Sequence, residues 1–331
     1  MRRIPLSAIR DAAASIYNVA RRTPLVPLEL PPAVQSRLGG CAVYLKLEVF
    51  QPIGAFKIRG AWNAVRQIPP DELRDGVWTV SAGNAAQGVA LAARTAGVPC
   101  RVMVMDTAPR AKLQAIERLG ASIVSATYDE CWRTVEDHGS DRMRGRFIHP
   151  FDDDHVIAGN GTLGLEIVED LPDVDAIVAP LGGGGLLAGV ASALRELRPE
   201  TQVFAAEPET AAPFAASLRN GRASVFEGWQ SSFVDGAGGK SVLPTMWPLL
   251  STLLAGSIVV SLDEVAAAMR LVAERCHVIA EGAAGCAVAA ALSGRLDPGS
   301  IAGPVRKKIV AVVSGGNIDL SKFASLVGAC P

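Results

Sequence analysis

Ala176-Ile177-Val178-Ala179-Pro180-Leu181-Gly182-Gly183-Gly184-Gly185-Leu186 runs from an unbroken apolar segment through four glycines into a helix-forming stretch that continues to residue 197. A short apolar run bounded by glycine reads as a buried strand, and the longer segment beyond it as a helix. Residues 176–194 carry no charge and are about long enough to span a bilayer. Pro180 and four successive glycines would be poorly tolerated in a membrane helix, so that alternative is rejected. Strand, glycine turn, helix is the repeating unit of a parallel α/β fold.

Working outward, the same rhythm recurs. On the carboxyl side come a strand at 202–206 and a helix opened by the capping box Ser261-Leu262-Asp263-Glu264. A last strand at 308–313 ends in Ser314-Gly315-Gly316-Asn317, and residues 236–239 read as a flexible loop. On the amino side a helix covers 161–169. Before it lies an earlier series: strand 77–80, helix 87–96, strand 101–105, helix 109–119, strand 122–124. The chain opens with a helix at 6–20, stopped at Pro24, then an alternating strand at 43–48 and a helix reaching about residue 68 before Pro69-Pro70. Two series of βαβ units predict two α/β domains with parallel sheets, whose ligands bind outside the carboxyl ends of the strands.

Composition narrows the function classes. With 331 residues, 49% hydrophobic, 20% charged and a net charge of -1, the chain has ample core and no basic field for nucleic acid or an anionic membrane. The six cysteines (41, 100, 131, 276, 286, 330) are scattered without a CxxC pair, as small buried hydrophobes in a reducing compartment are. Met1-Arg2-Arg3-Ile4-Pro5 leads to Asp11 and not to an apolar segment, so a secretory signal is not expected and the cytoplasm is.

Four stretches carry chemistry. In Gly54-Ala55-Phe56-Lys57-Ile58-Arg59-Gly60-Ala61 a lysine stands two residues before an arginine, whose charge is expected to discourage protonation of Lys57. A lysine held neutral is a nucleophile toward carbonyl compounds. The ordinary alternative is a helix start whose lysine snorkels to water. Ser81-Ala82-Gly83-Asn84-Ala85, between a strand and a helix, offers backbone N–H groups to a carboxylate, or is a plain turn. Gly182 to Gly185 lets successive N–H groups converge on a phosphate. It is neither GxGxxG nor a Walker loop, so a phosphomonoester fits better than a dinucleotide. Ser314, after the last strand, could donate a neutral hydrogen bond to a ring nitrogen, or sit in a turn.

A reactive lysine, a carboxylate loop, a phosphate cup and a terminal serine together form what a pyridoxal phosphate enzyme needs. On these motifs, with Arg22-Thr23-Pro24-Leu25 and Ala206-Glu207-Pro208, the chain resembles the fold-type II pyridoxal phosphate family of threonine/serine dehydratases and serine racemases over nearly its whole length. The resemblance implies a two-domain fold. Residues 1–70 plus 146–331 would form the large cofactor-binding domain, and 71–145 the small domain that takes the substrate carboxylate. Lys57 looks like the Schiff-base lysine and the base for the Cα proton. Phe56 would pack on the ring, Asn84 would bond the ring hydroxyl, Gly182, Gly183, Gly184 and Gly185 would hold the phosphate, and Ser314 would meet the pyridine nitrogen. Ser81, Ala82, Gly83, Asn84 and Ala85 would bind the substrate carboxylate. Glu281 resembles an acidic residue near the cofactor, or is a solvated helix carboxylate.

Departures from the family pattern sharpen the reading. Ala55 replaces the usual serine of the lysine motif, and Ala85 stands where histidine is common. Ala82 occupies the position of the serine that racemases use to protonate the opposite face, which favours elimination over racemisation. The family's divalent-cation site maps onto Glu207 and the Ala211 carbonyl. Its second carboxylate falls at Pro213, a poor set for a cation that prefers six or more oxygens. The chain stops soon after Asn317, so the regulatory domain of biosynthetic threonine dehydratases is not expected. The implied activity is elimination from a small β-hydroxy amino acid, L-threonine or L-serine, by a homodimer. Alternatives are a dehydratase for hydroxyaspartate or phenylserine, a serine racemase, or a non-catalytic phosphate-ligand binder.

Overall fold

The computed structural model describes residues 2–296 and 307–328. Among them ten strands form two sheets. They are β1 (Leu25–Pro27), β2 (Ala42–Leu47), β3 (Val77–Val80), β4 (Cys100–Met105), β5 (Ser122–Ala126), β6 (Arg146–Phe147), β7 (Ala176–Pro180), β8 (Gln202–Pro208), β9 (Gly256–Val260) and β10 (Lys308–Val313). The larger sheet has the order β1-β2-β10-β7-β8-β9, and the smaller has β5-β4-β3-β6. Every pairing is parallel, as expected of this α/β fold, except that of β1 with β2, which adds an antiparallel strand at one edge. Pro24 stops the preceding segment and returns the chain beside β2, with Leu25 opposite Lys46.

The last strand lies in the middle of the larger sheet. β10 pairs β2 on one side, Val313 beside Leu47, and β7 on the other, Ala311 beside Val178. Consecutive βαβ crossovers place neighbours in order along the sheet. Inserting the final strand between the early β2 and the middle β7 makes a reversal of strand order, where open α/β sheets leave a crevice. β2, β7 and β10 all end toward that crevice because they run parallel.

Helices cover both faces. Gly282–Leu292 is buried along its whole length, built from alanine, glycine and a few larger apolar residues, and packs on β10, β7 and β8. A helix that is apolar all round has no amphipathic period to betray it, and none was expected there. On the other face Asp154–Asp170 and Gly185–Leu197 pack together. The helix Leu262–Cys276 opens with the expected capping box, Ser261 accepting from the Glu264 N–H while Glu264 accepts from the Ser261 N–H. Residues 236–239, expected to be a loop, carry one short turn: Gly236 is exposed, and Gly238 and Gly239 are half-buried outside regular structure. Asp235–Ala237 forms a 3-10 turn with Ala237 fully buried.

Candidate active site

Lys57 is delivered by the segment after β2. Gly54 adopts φ +69°, a left-handed conformation cheap only for glycine. The next residues then zip onto the loop after β10: the Gly316 N–H donates to the Gly54 carbonyl (2.9 Å), Ala55 bridges Gly315, and the Phe56 N–H donates to the Ser314 carbonyl (3.0 Å). The helix Lys57–Arg66 starts at once, with Lys57 as its first residue. Its Nζ donates to the Pro150 carbonyl (2.8 Å) and lies 5.2 Å from the centre of the Phe56 ring. Although Lys57 keeps some solvent contact, burial of the amine holds its pKa down at about 8, with Glu281 pulling the other way.

Arg59 does not supply that shift, contrary to the sequence expectation. Two residues along a helix turn a side chain about 200° away. The Arg59 guanidinium is fully buried on the opposite side, neutralised by Glu48 and Glu166. Desolvation alone disfavours the lysine's charge.

The other loops converge on the same crevice. After β3 the Ser81 hydroxyl accepts from the Gly83 N–H (3.1 Å), and no side chain caps the helix Asn84–Ala96. Its first-turn N–H groups, with the helix dipole, suit an anion. Asn84, half-buried, donates through Nδ2 to Glu281 Oε1 (2.8 Å). Glu281 immediately precedes the helix Gly282–Leu292, with its N–H on the Gly315 carbonyl (3.0 Å). Burial pushes its carboxyl up to about 7, against the pull of the Asn84 amide. Ser314 is 2% exposed at the end of β10.

After β7 comes the glycine cup. Gly184 has φ +89° and caps the helix Gly185–Leu197. A methyl on Gly183 would lie 2.0 Å from Phe151 Cγ, and one on Gly182 would lie 2.5 Å from the Gly236 carbonyl oxygen. Only glycine fits here, and the cup is closed around bare backbone at a helix N-terminus, the arrangement that holds phosphate.

Residues 16–315 match the family described as pyridoxal-phosphate dependent enzyme. The chain belongs to that family. It is 38% identical over 330 residues to the L-threonine ammonia-lyase of Thermotoga maritima, covering 98% of this chain and 78% of that one. It is also 38% identical over 321 residues to human serine racemase, covering 96% and 93%. The fold superimposes on the structure of maize serine racemase with a TM-score of 0.88 at 30% identity, over 98% of this chain and 97% of that one. The family's fold-type II architecture and its cofactor, pyridoxal 5'-phosphate, are therefore this chain's, and the desolvated lysine and the glycine cup fit that group.

A family member's divalent cation does not fit the residues present. Glu207 is fully buried and spent within the chain: Oε1 accepts from the Phe214 N–H (2.7 Å), and Oε2 from the Ala215 N–H (2.8 Å) and the Ser257 hydroxyl. Pro213, at the expected second carboxylate, is the first residue of the helix Pro213–Asn220, whose N-terminus does for Glu207 what a cation would. With proline at that position, no carboxylate stands there to join the Ala211 carbonyl. None of the bonds of Glu207 reaches the crevice.

His138, His149 and Asp152 also lie close enough together for a metal. Both His149 nitrogens are engaged, however. Nδ1 accepts from the Asp152 N–H (2.7 Å), which leaves the Nε2 proton for the Val135 carbonyl (3.1 Å). Burial, with His138 beside it, drives its pKa down to about 4. Asp152 is taken by Arg2, Thr245 and His138. This knot props the Pro150-Phe151 turn that faces Lys57 and the glycine cup. No spacing in the sequence pointed to it. Nor does spacing point to Asn317, at the end of the loop after β10, whose amide donates to Asn84 Oδ1 (2.8 Å).

Proposed function

We propose that the chain is an ammonia-lyase that removes the β-hydroxyl and amino group of L-threonine or L-serine, leaving a 2-oxo acid and ammonia. The observation that carries this reading is a lysine with its pKa near 8, set where the Ser81–Asn84 turn, the glycine cup and Ser314 meet. Bound pyridoxal phosphate supplies an electron sink for the substrate's Cα carbon. The chain's own residues do the rest. Gly182 to Gly185 hold the phosphate through their N–H groups, Phe56 packs on the ring, Asn84 bonds the ring hydroxyl, and Ser314 meets the pyridine nitrogen. Glu281 accepts from the Asn84 amide and holds it in place.

Ser81, Ala82, Gly83, Asn84 and Ala85 take the substrate carboxylate at the helix N-terminus. Lys57 moves the Cα proton, a task suited to a base whose pKa lies close to working pH. Ala82 carries no proton donor for the opposite face, which supports elimination over racemisation. In this reading 1–70 plus 146–331 bind the cofactor and 71–145 bind the carboxylate. A homodimer belongs to the same reading on the resemblance alone, and a cytoplasmic enzyme on the scattered cysteines without a CxxC pair.

A second reading, a phenyl-bearing β-hydroxy amino acid, draws support from an apolar cavity of about 140 Å³ against Ser81 and Ala82, walled by Met103, Tyr128, Cys131 and Trp132. The test is 2-oxo acid release from the cofactor-loaded protein with L-threonine, L-serine and phenylserine in parallel. Release from threonine or serine above the others supports the first reading, and preference for phenylserine the second. Turnover by Lys57→Ala equal to wild type would overturn both.

A further inference from the structure

Asn317 sits between three segments that the fold brings together. Its Nδ2 donates one hydrogen to the Ile53 carbonyl (2.8 Å) and the other to Asn84 Oδ1 (2.8 Å). Its Oδ1 lies where a methyl on Gly54 would come within 3.0 Å. Asn84 in turn donates through Nδ2 to Glu281 Oε1 (2.8 Å). Asn84 begins the helix that follows β3 of the smaller sheet, whereas Ile53, Glu281 and Asn317 are attached to the larger one.

The direction of this chain of bonds follows from its ends. An amide side chain can be turned round, exchanging its donor and acceptor, so Asn84 has no polarity of its own. Glu281 cannot impose one, because a carboxyl with a pKa of about 7 is donor or acceptor according to its proton. The Ile53 carbonyl accepts under every condition. It therefore compels Asn317 to present nitrogen, whose second hydrogen compels Asn84 to present oxygen. The Asn84 nitrogen is left facing Glu281 with one hydrogen to spare.

We propose that Asn317 is a positioning residue that fixes the Asn84 amide so that it meets the cofactor's ring oxygen only as a hydrogen-bond donor. This rests on the reading above, in which Asn84 faces that oxygen. A donor favours the ionised form of the oxygen it bonds. Asn317 thus sets the ionisation of a ring it does not itself touch, and the bond also ties the carboxylate loop to the segment carrying Lys57.

The test uses the cofactor-loaded protein and reads the absorbance spectrum of the bound cofactor against pH, cofactor affinity, and kcat and KM separately. In Asn317→Ala the Asn84 amide is free to turn. The pH at which the ring oxygen ionises is expected to rise by about one unit, cofactor affinity to fall about tenfold, and kcat to fall about tenfold with KM changed less. Asn317→Asp, of the same size, offers oxygen where Asn84 needs a donor and gives the same spectral shift even where the alanine variant folds poorly. Asn317→Gln, which keeps the donor, restores part of it. A wild-type pH profile of the spectrum in Asn317→Ala or Asn317→Asp, whatever their thermal stability, would overturn the proposal. If Asn84→Ala also leaves the spectrum unchanged, the placement of Asn84 is what has failed.

Discussion

Arg59 donates to Glu48 through both Nε (2.7 Å) and Nη2 (2.8 Å), and neither side chain has any surface in contact with water. The other edge of the guanidinium serves Glu166 (2.7 and 3.0 Å), and Lys46 completes a neutral foursome with Glu166 (2.7 Å). This cluster pins the lysine helix to the turn after β2 and to the helix Asp154–Asp170. Removing one partner of a buried pair strands the others. Arg59→Met is therefore expected to lose about 3–5 kcal/mol. Arg59→Lys keeps the charge without the fork and falls between. Urea unfolding of the cofactor-free chain measures both, and a loss below about 1 kcal/mol for the methionine variant would show that the cluster is no anchor.

Glu281 makes the stability of the cofactor-free chain depend on pH in a definite direction. Its folded pKa of about 7 lies above the ordinary 4.5, so between those values the folded chain holds a proton that the unfolded chain has released. The contribution is fully present below pH 4.5 and is lost as pH rises through 7. It amounts to at most about 3 kcal/mol. Lys57, lowered to about 8, acts in a separate window above that pH. His149, held down at about 4, adds an opposite trend below pH 6.5 in both proteins, so the Glu281 contribution is read as a difference: from pH 4.5 to 7.5 wild type should lose stability relative to Glu281→Gln. An equal slope in the two proteins would place the effect elsewhere.

Regular α/β rhythm was legible because buried parallel strands are short apolar runs and their crossover helices are long. β3 and β10 fall on the residues read from sequence. Gly282–Leu292 was not legible, since a helix buried on every side lacks the period that marks one. The motif loops announced themselves through glycine and serine after strands. What they hold each other with did not, because the bonds join residues far apart in sequence, such as Lys57 to Pro150 and Asn84 to Glu281. Arg59 was misread for a related reason. Charge proximity along the chain says nothing about which side of a helix the charge takes, or what neutralises it.

Glu207 gives a prediction about metals. Its oxygens already hold two backbone N–H groups and the Ser257 hydroxyl, so a chelator should leave both thermal stability and turnover unchanged, and added magnesium, calcium or manganese should restore nothing. Glu207→Ala leaves those buried donors unsatisfied and is expected to cost about 1–3 kcal/mol, with Ser257→Ala at the lower end. A melting temperature that drops in chelator and recovers with a divalent ion would show that the cation site is real.

The glycine cup can be tested one methyl at a time. In Gly183→Ala the new Cβ would lie 2.0 Å from Phe151 Cγ, so the ring must leave its place against the cup. That movement also disturbs the turn carrying the Pro150 carbonyl, the partner of Lys57. Overpacking of this kind costs about 1–3 kcal/mol, and the converging N–H groups lose their geometry. Cofactor affinity should fall about tenfold or more. Gly139→Ala is the control, since its methyl meets nothing within 4 Å and should change neither quantity. Phe151→Leu frees space beside the loop. Because the two residues are in contact, adding it to Gly183→Ala should recover part of the lost affinity. Titration of the four proteins with pyridoxal phosphate, followed by absorbance, gives the coupling. Strict additivity would mean that the ring and the cup do not act on each other.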